Sequence, residues 1–157
     1  MQAISKISTR ALGTLALGLA LAVPAAAQFG GPPPPPFTGK PVFAALKGAE
    51  GQGSATVVVN PPEGTACYLV NVTHLTDVTA AHIHRGAAGA EGPPVVTLTA
   101  PTEGSAGGCA TVAADLAQAL LASPGDYYVN VHTRAQPNGA IRGQLSGDIT
   151  RPLTHPK

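Results

Sequence analysis

Between Tyr127 and Leu145 the chain reads YYVNVHTRAQPNGAIRGQL. Side chains of a strand alternate faces with period 2. Val129 and Val131 therefore share one face, and Tyr128, Asn130 and His132 share the other. The segment Arg134–Gly139 follows, and its Asn138-Gly139 pair is a strong hairpin signal. Beyond it, Ile141, Gly143 and Leu145 alternate with Arg142 and Gln144. Symmetric pairing about Arg134–Gly139 sets Asn130 opposite Arg142 and His132 opposite Ala140. The stretch is thus an antiparallel hairpin with an aliphatic face for a core and a polar face that gathers His132, Asn130 and Arg142.

The same grammar runs through the rest of the domain. Pro41–Lys47, Ser54–Asn60, Cys67–Thr73, Thr76–His84, Pro94–Thr99 and Gly108–Val112 are short β-type runs, and Pro/Gly-rich turn signals recur between them. One segment differs. Ala113–Ala122 (AADLAQALLA) has helix formers, with Leu116, Leu120 and Leu121 apolar, and stops at Ser123-Pro124-Gly125, which predicts one short helix. Seven or eight strands with one helix give an all-β chain, an immunoglobulin-like or Greek-key β-sandwich or barrel. Composition agrees. Of 157 residues only 11% are charged and 44% are hydrophobic, which excludes a charged disordered tail and a heptad coiled coil. A formal net charge of +1 excludes a nucleic-acid partner held by a basic surface.

The ends carry a different message. Residues 1–27 have Lys6 and Arg10, an uncharged apolar run over 11–23, then Pro24 and Ala25-Ala26-Ala27. That is the order of a secretory signal peptide, and the run is short of the roughly 20 residues that span a bilayer. The chain is expected to be exported, to the periplasm or beyond, without a stable transmembrane anchor. Loss of residues 1–27 removes two positive charges and takes the formal charge from +1 to −1. Residues 28–39 (QFGGPPPPPFTG) predict a polyproline spacer, residues 40–149 the domain, and residues 150–157 a tail. In an oxidising compartment Cys67 and Cys109, the only cysteines, are expected to form a disulfide.

Histidines carry the chemistry. His82 and His84 share a strand face, with Ala81 and Ile83 on the other, and His132 likewise lies opposite valines. Two imidazoles at i and i+2 can chelate one metal ion, and a third from a neighbouring strand completes a three-nitrogen set. Imidazole suits copper, zinc, nickel or iron, whereas calcium and magnesium take oxygen ligands. The competing reading makes the H-x-H pair plain polar surface. For Arg142 the two readings are attraction of an anion to a bound metal, or a guanidinium bonded to backbone carbonyls or Gln144. Nucleophile elbows and phosphate-binding loops are missing from the sequence.

Ala81–Leu98 (AHIHRGAAGAEGPPVVTL) and Pro124–Leu145 (PGDYYVNVHTRAQPNGAIRGQL) resemble the two signature segments of the CHRD (chordin-type) domain, an exported type in bacteria. Arg85 stands where that family commonly has a small or apolar residue, and Ala140 where it often has an acid. The resemblance implies an immunoglobulin-like barrel distantly similar to Cu/Zn superoxide dismutase. In that comparison Ala81-His82-Ile83-His84 is similar to the segment supplying two copper ligands, and Val131-His132 to the one supplying a third. With no histidine between His84 and His132, the bridging ligand and the zinc site have no counterpart. The expectation is a non-enzymatic binding or structural protein whose His82, His84 and His132 hold one copper-like ion, with Asn130 and Arg142 beside them. The alternatives are a copper-only dismutase-like redox enzyme and a metal-free module with a protein partner.

Overall fold

A computed structural model describes residues 39–147. The expected signal peptide, most of the proline-rich spacer and the tail lie outside the described residues. Eight strands follow in order: β1 (Lys40–Lys47), β2 (Gln52–Asn60), β3 (Thr65–Thr73), β4 (Val78–Arg85), β5 (Pro94–Leu98), β6 (Ser105–Thr111), β7 (Tyr127–Thr133) and β8 (Ile141–Gln144). The single α-helix among the described residues, α1 (Ala114–Ala122), joins β6 to β7. All pairings are antiparallel, in the order β5-β4-β7-β8-β1-β2-β3-β6. Hairpins interleave with crossovers, so that β6 lies beside β3 and β7 beside β4, as in a Greek key. No helix among the described residues is long and apolar enough to cross a membrane.

Alternation builds the core. Val42, Ala44 and Leu46 of β1, Ala55, Val57 and Val59 of β2, Ala81 and Ile83 of β4, and Val129 and Val131 of β7 are buried together. In α1, Ala117 and Leu120 are buried, with Leu116 and Leu121 packed at the margin. Asp115 stands in its first turn, where the helix dipole favours an acid, and accepts the Leu116 N–H at 2.8 Å.

The sheet curls into a nearly closed barrel whose two edges are β5 and β6. Tyr68 of β3 bridges the seam. Its ring lies over Gly108, where an added Cβ would come within 2.9 Å of the hydroxyl. That hydroxyl accepts the Thr99 N–H at 2.9 Å and hydrogen-bonds Thr99 Oγ1 at 3.0 Å. A glycine in the edge strand thus lets an aromatic from the neighbouring strand cross it and reach the far edge. Cys67 and Cys109 form a disulfide between directly opposed residues of β3 and β6, tying that edge strand to the sheet.

Sequence and structure differ mainly at strand ends. β6 begins at Ser105 and β3 at Thr65, both earlier than the β-type runs suggest. Small and polar residues join there because cross-strand partners supply the pairing that propensity alone would not.

Candidate metal centre

The functional candidates lie on β4, β7 and β8, which are consecutive in the sheet. Register sets two rows across them. His82 pairs with Asn130, which pairs with Arg142; His84 pairs with Tyr128, which pairs with Gln144. Asn130 and Arg142 are opposed as the hairpin symmetry requires. His132 pairs with Ala80 one step further along β7, so the three imidazoles come from two adjacent strands and point to one side.

The polar face of this hairpin is itself covered, which alternation alone does not reveal. His84 retains 8% exposure, His132 9% and Asn130 4%. Two loops fold back over the face, one after each histidine-bearing strand. After β4, the loop through Gly92 turns its carbonyl to His84, and Nδ1 donates to Gly92 O at 2.8 Å. After β7, the turn before Gly139 does the same for His132, and Nδ1 donates to Pro137 O at 2.9 Å. Thr133 Oγ1 supports that turn by accepting the Gln136 N–H at 3.1 Å.

These two bonds fix the tautomers. A carbonyl only accepts, so both Nδ1 atoms carry the proton and both Nε2 atoms of the neutral rings keep a lone pair. His82 Nδ1 lies 3.1 Å from His132 Nε2 and, in the neutral cluster, donates to it. His84 Nε2 is buried and has no hydrogen-bond partner. Nitrogens from the three rings lie within 4.8 Å of one another, and no carboxylate or thiolate joins the group. Metal–imidazole bonds are about 2.0–2.1 Å, so modest side-chain shifts bring all three nitrogens to one ion. Burial, and then the charges of neighbouring histidines, hold His82 below the usual imidazole range. His132 is also lowered, mainly by burial, against the opposing pull of its bond to Pro137. Both shifts favour the neutral form of His82 and His132, the form that binds metal.

The surroundings hold the covering loop. Tyr128 stacks on His84 with centroids 5.0 Å apart and planes at 13°, and its hydroxyl accepts the Gly92 N–H at 3.2 Å. Gly92 is thus gripped at both its N–H and its carbonyl. An added Cβ there would sit 1.6 Å from Arg85 O. Arg142 lies over the Tyr128 ring, 3.8 Å from its centroid, and donates to Ala90 O at 2.8 Å. Gln144 Nε2 donates to Gly86 O at 2.7 Å and to Gly125 O at 2.6 Å. Arg142 thus makes the backbone-carbonyl bond that one of its two readings calls for. Asn130 donates through Nδ2 to Asn138 O at 3.2 Å, while its Oδ1 is buried without a partner.

Arg85, the departure from the family pattern, is exposed and donates to the Tyr127 hydroxyl at 3.1 Å. His74, on the loop after β3, is exposed and takes no part. Sequence reasoning missed Gly92, Pro137 and Tyr128. The signal for the first two was faint: each histidine strand runs into a loop of similar length closed by glycine.

The family model of the CHRD domain matches residues 36–145. No curated protein and no solved structure matches the chain, and the likeness to the dismutase therefore rests on the residue pattern alone.

Proposed function

The chain belongs to the CHRD domain family, and from that premise we propose that it is an exported protein whose barrel binds one transition-metal ion, in a binding rather than a catalytic role. His84 Nε2 carries the reading. It is buried and unpartnered, its lone pair is fixed by the bond from Nδ1 to Gly92 O, and it sits beside two further imidazoles. A buried unsatisfied acceptor costs about 1–3 kcal/mol, and a metal ion offsets that cost.

The ligand set is His82, His84 through Nε2 and His132 through Nε2, with the Gly92 and Pro137 carbonyls orienting the latter two rings, as outer partners commonly do for metal-bound histidines. Three imidazoles without an acidic ligand suit copper among the first-row ions. Export is supported by the disulfide, since such bonds persist in oxidising compartments, and by the signal-like order of residues 1–27.

Calorimetric titration of the purified protein with copper and zinc tests this, beside a His82/His84/His132 triple alanine variant and a His74→Asn control. One ion per chain, lost in the triple variant and kept in the control, is the expected result. Absence of binding by a folded, disulfide-bonded protein would overturn the proposal.

A further inference from the structure

Building on that three-histidine reading, we infer that the site selects a monovalent soft ion, Cu(I), over divalent ions, and that Arg142 sets this preference. Charge is the first observation. All three donors are neutral imidazoles, and no carboxylate or thiolate lies in the group. A bound ion keeps its whole formal charge. The desolvation cost of an ion rises with the square of that charge, so a 2+ ion is penalised about fourfold more than a 1+ ion in the same poorly solvated place. His84 and His132 are largely buried, so the penalty applies here.

Arg142 adds to it. Its guanidinium lies over one aromatic ring, Tyr128, which itself stacks on His84. It occupies the same cross-strand row as His82, separated only by Asn130. The bond to Ala90 O and the Tyr128 face hold it there, and both partners are uncharged. The nearest fixed charge along this row is therefore positive. It repels a divalent ion twice as strongly as a monovalent one. Glu91, in the covering loop, is exposed and outside the group. Donor number points the same way, since three nitrogens complete a trigonal Cu(I) site, whereas zinc in a three-ligand site needs a further water or substrate.

The test is competition against chromophoric chelators for Cu(I), under anaerobic reducing conditions in which the disulfide is verified intact, and separately for Cu(II) and Zn(II). Silver(I) serves as a redox-inert monovalent probe. The wild-type protein should hold Cu(I) and Ag(I) at least tenfold more tightly than Zn(II), and Cu(I) more tightly than Cu(II). Arg142→Gln should shift the Cu(II)-to-Cu(I) affinity ratio toward Cu(II) by on the order of tenfold, the size expected for one charge at this range in a partly buried site. Arg142→Lys, which keeps the charge but loses the flat guanidinium, should leave the ratio near wild type. A purely structural role for Arg142 would instead weaken both oxidation states equally in both variants. Divalent ions binding more tightly than Cu(I) would overturn this inference while leaving the three-histidine site standing. Equal ratios in wild type and Arg142→Gln would remove Arg142 from it, and failure of every ion to bind would remove the site itself.

Discussion

Gly139→Ala should be among the most damaging single-methyl additions in this domain, and its cost divides into two parts that can be measured separately. Gly139 has φ +125°, a conformation L side chains rarely adopt. Forcing alanine there costs about 1–2 kcal/mol. The second part is contact. The new Cβ would lie 2.3 Å from Asn130 Oδ1, 2.5 Å from Nδ2 and 2.8 Å from Cγ. Asn130 is 4% exposed and cannot swing into solvent. Moving it breaks the bond from Nδ2 to Asn138 O and leaves a buried donor unpaired, a further cost of about 1–3 kcal/mol. The total is about 2–5 kcal/mol, a large share of the 5–15 kcal/mol that holds a domain together. For a domain of this size each kcal/mol shifts Tm by about 4–8 °C, so a drop of at least about 8 °C is expected. Gly89→Ala is the control. Gly89 also has a positive φ, +85°, but nothing lies within 4 Å of its added Cβ, so only the backbone part applies. Urea and thermal denaturation of both variants, and of Gly139→Ala in an Asn130→Ala background, close the cycle. The contact part should vanish in that background. Equal destabilisation by Gly139→Ala and Gly89→Ala would refute the claim that Asn130 occupies the space beside Gly139.

His82 and His132 titrate below the ordinary imidazole value of 6.5 when folded, so the unfolded chain takes up protons first as pH falls. Stability of the metal-free protein should therefore decline on acidification from about pH 6.5 and should not depend on these two groups above about pH 7.5. Urea midpoints at pH 5 and 7.5 measure this, and a His82→Asn/His132→Asn variant that declines as steeply as wild type would contradict it. Replacing both Cys67 and Cys109 by serine opens a loop of sequence separation 42 and should lower stability by about 4 kcal/mol in the loop-entropy model. A loss below about 1 kcal/mol in urea melts would mean that the β3–β6 ladder already constrains the unfolded chain or is held by the Tyr68 seam.

Alternation made the barrel legible. Val129, Val131, Ala81 and Ile83 could be assigned to the core from period 2 alone, and each is fully buried. The Asn138-Gly139 turn gave the β7–β8 register, hence the opposition of Asn130 and Arg142. The adjacency of β4 and β7 was not legible, because it depends on crossovers that bring non-consecutive strands together. The idea that His82, His84 and His132 meet was raised by strand spacing and strengthened by the family resemblance, but it needed that adjacency, which neither supplies. Burial of the polar face was missed for a different reason. Periodicity describes a strand as two-sided, one face inward and one outward, whereas β7 is buried on both. The second layer is loop, and loops leave no periodic trace. A backbone-carbonyl partner for Arg142 could be offered but not located, because Ala90 O, like the Gly86 and Gly125 carbonyls that Gln144 meets, is a backbone atom that carries no residue code.

Main-chain partners also decide how such a site is built and kept. The rings of His84 and His132 are oriented not by acidic side chains but by main-chain oxygens, each delivered by the loop that directly follows its own strand. A backbone carbonyl is present whatever residue bears it. The loop therefore has freedom in its side chains and little in its path. Gly92 shows where the path is fixed: it must pass so close to Arg85 O that no Cβ fits, while its N–H and carbonyl are held by Tyr128 and His84. Gly89, three residues earlier, has open space around it. Neutral carbonyls also differ from carboxylates in effect. They fix the tautomer without bringing a negative charge to the ligands, so the electron donation and charge compensation that a carboxylate-backed histidine gives a divalent ion are withheld here. The way the fold orients its histidines and the charge state of the ion we propose for it are thus two results of one choice, the use of main chain in place of acidic side chains around the cluster.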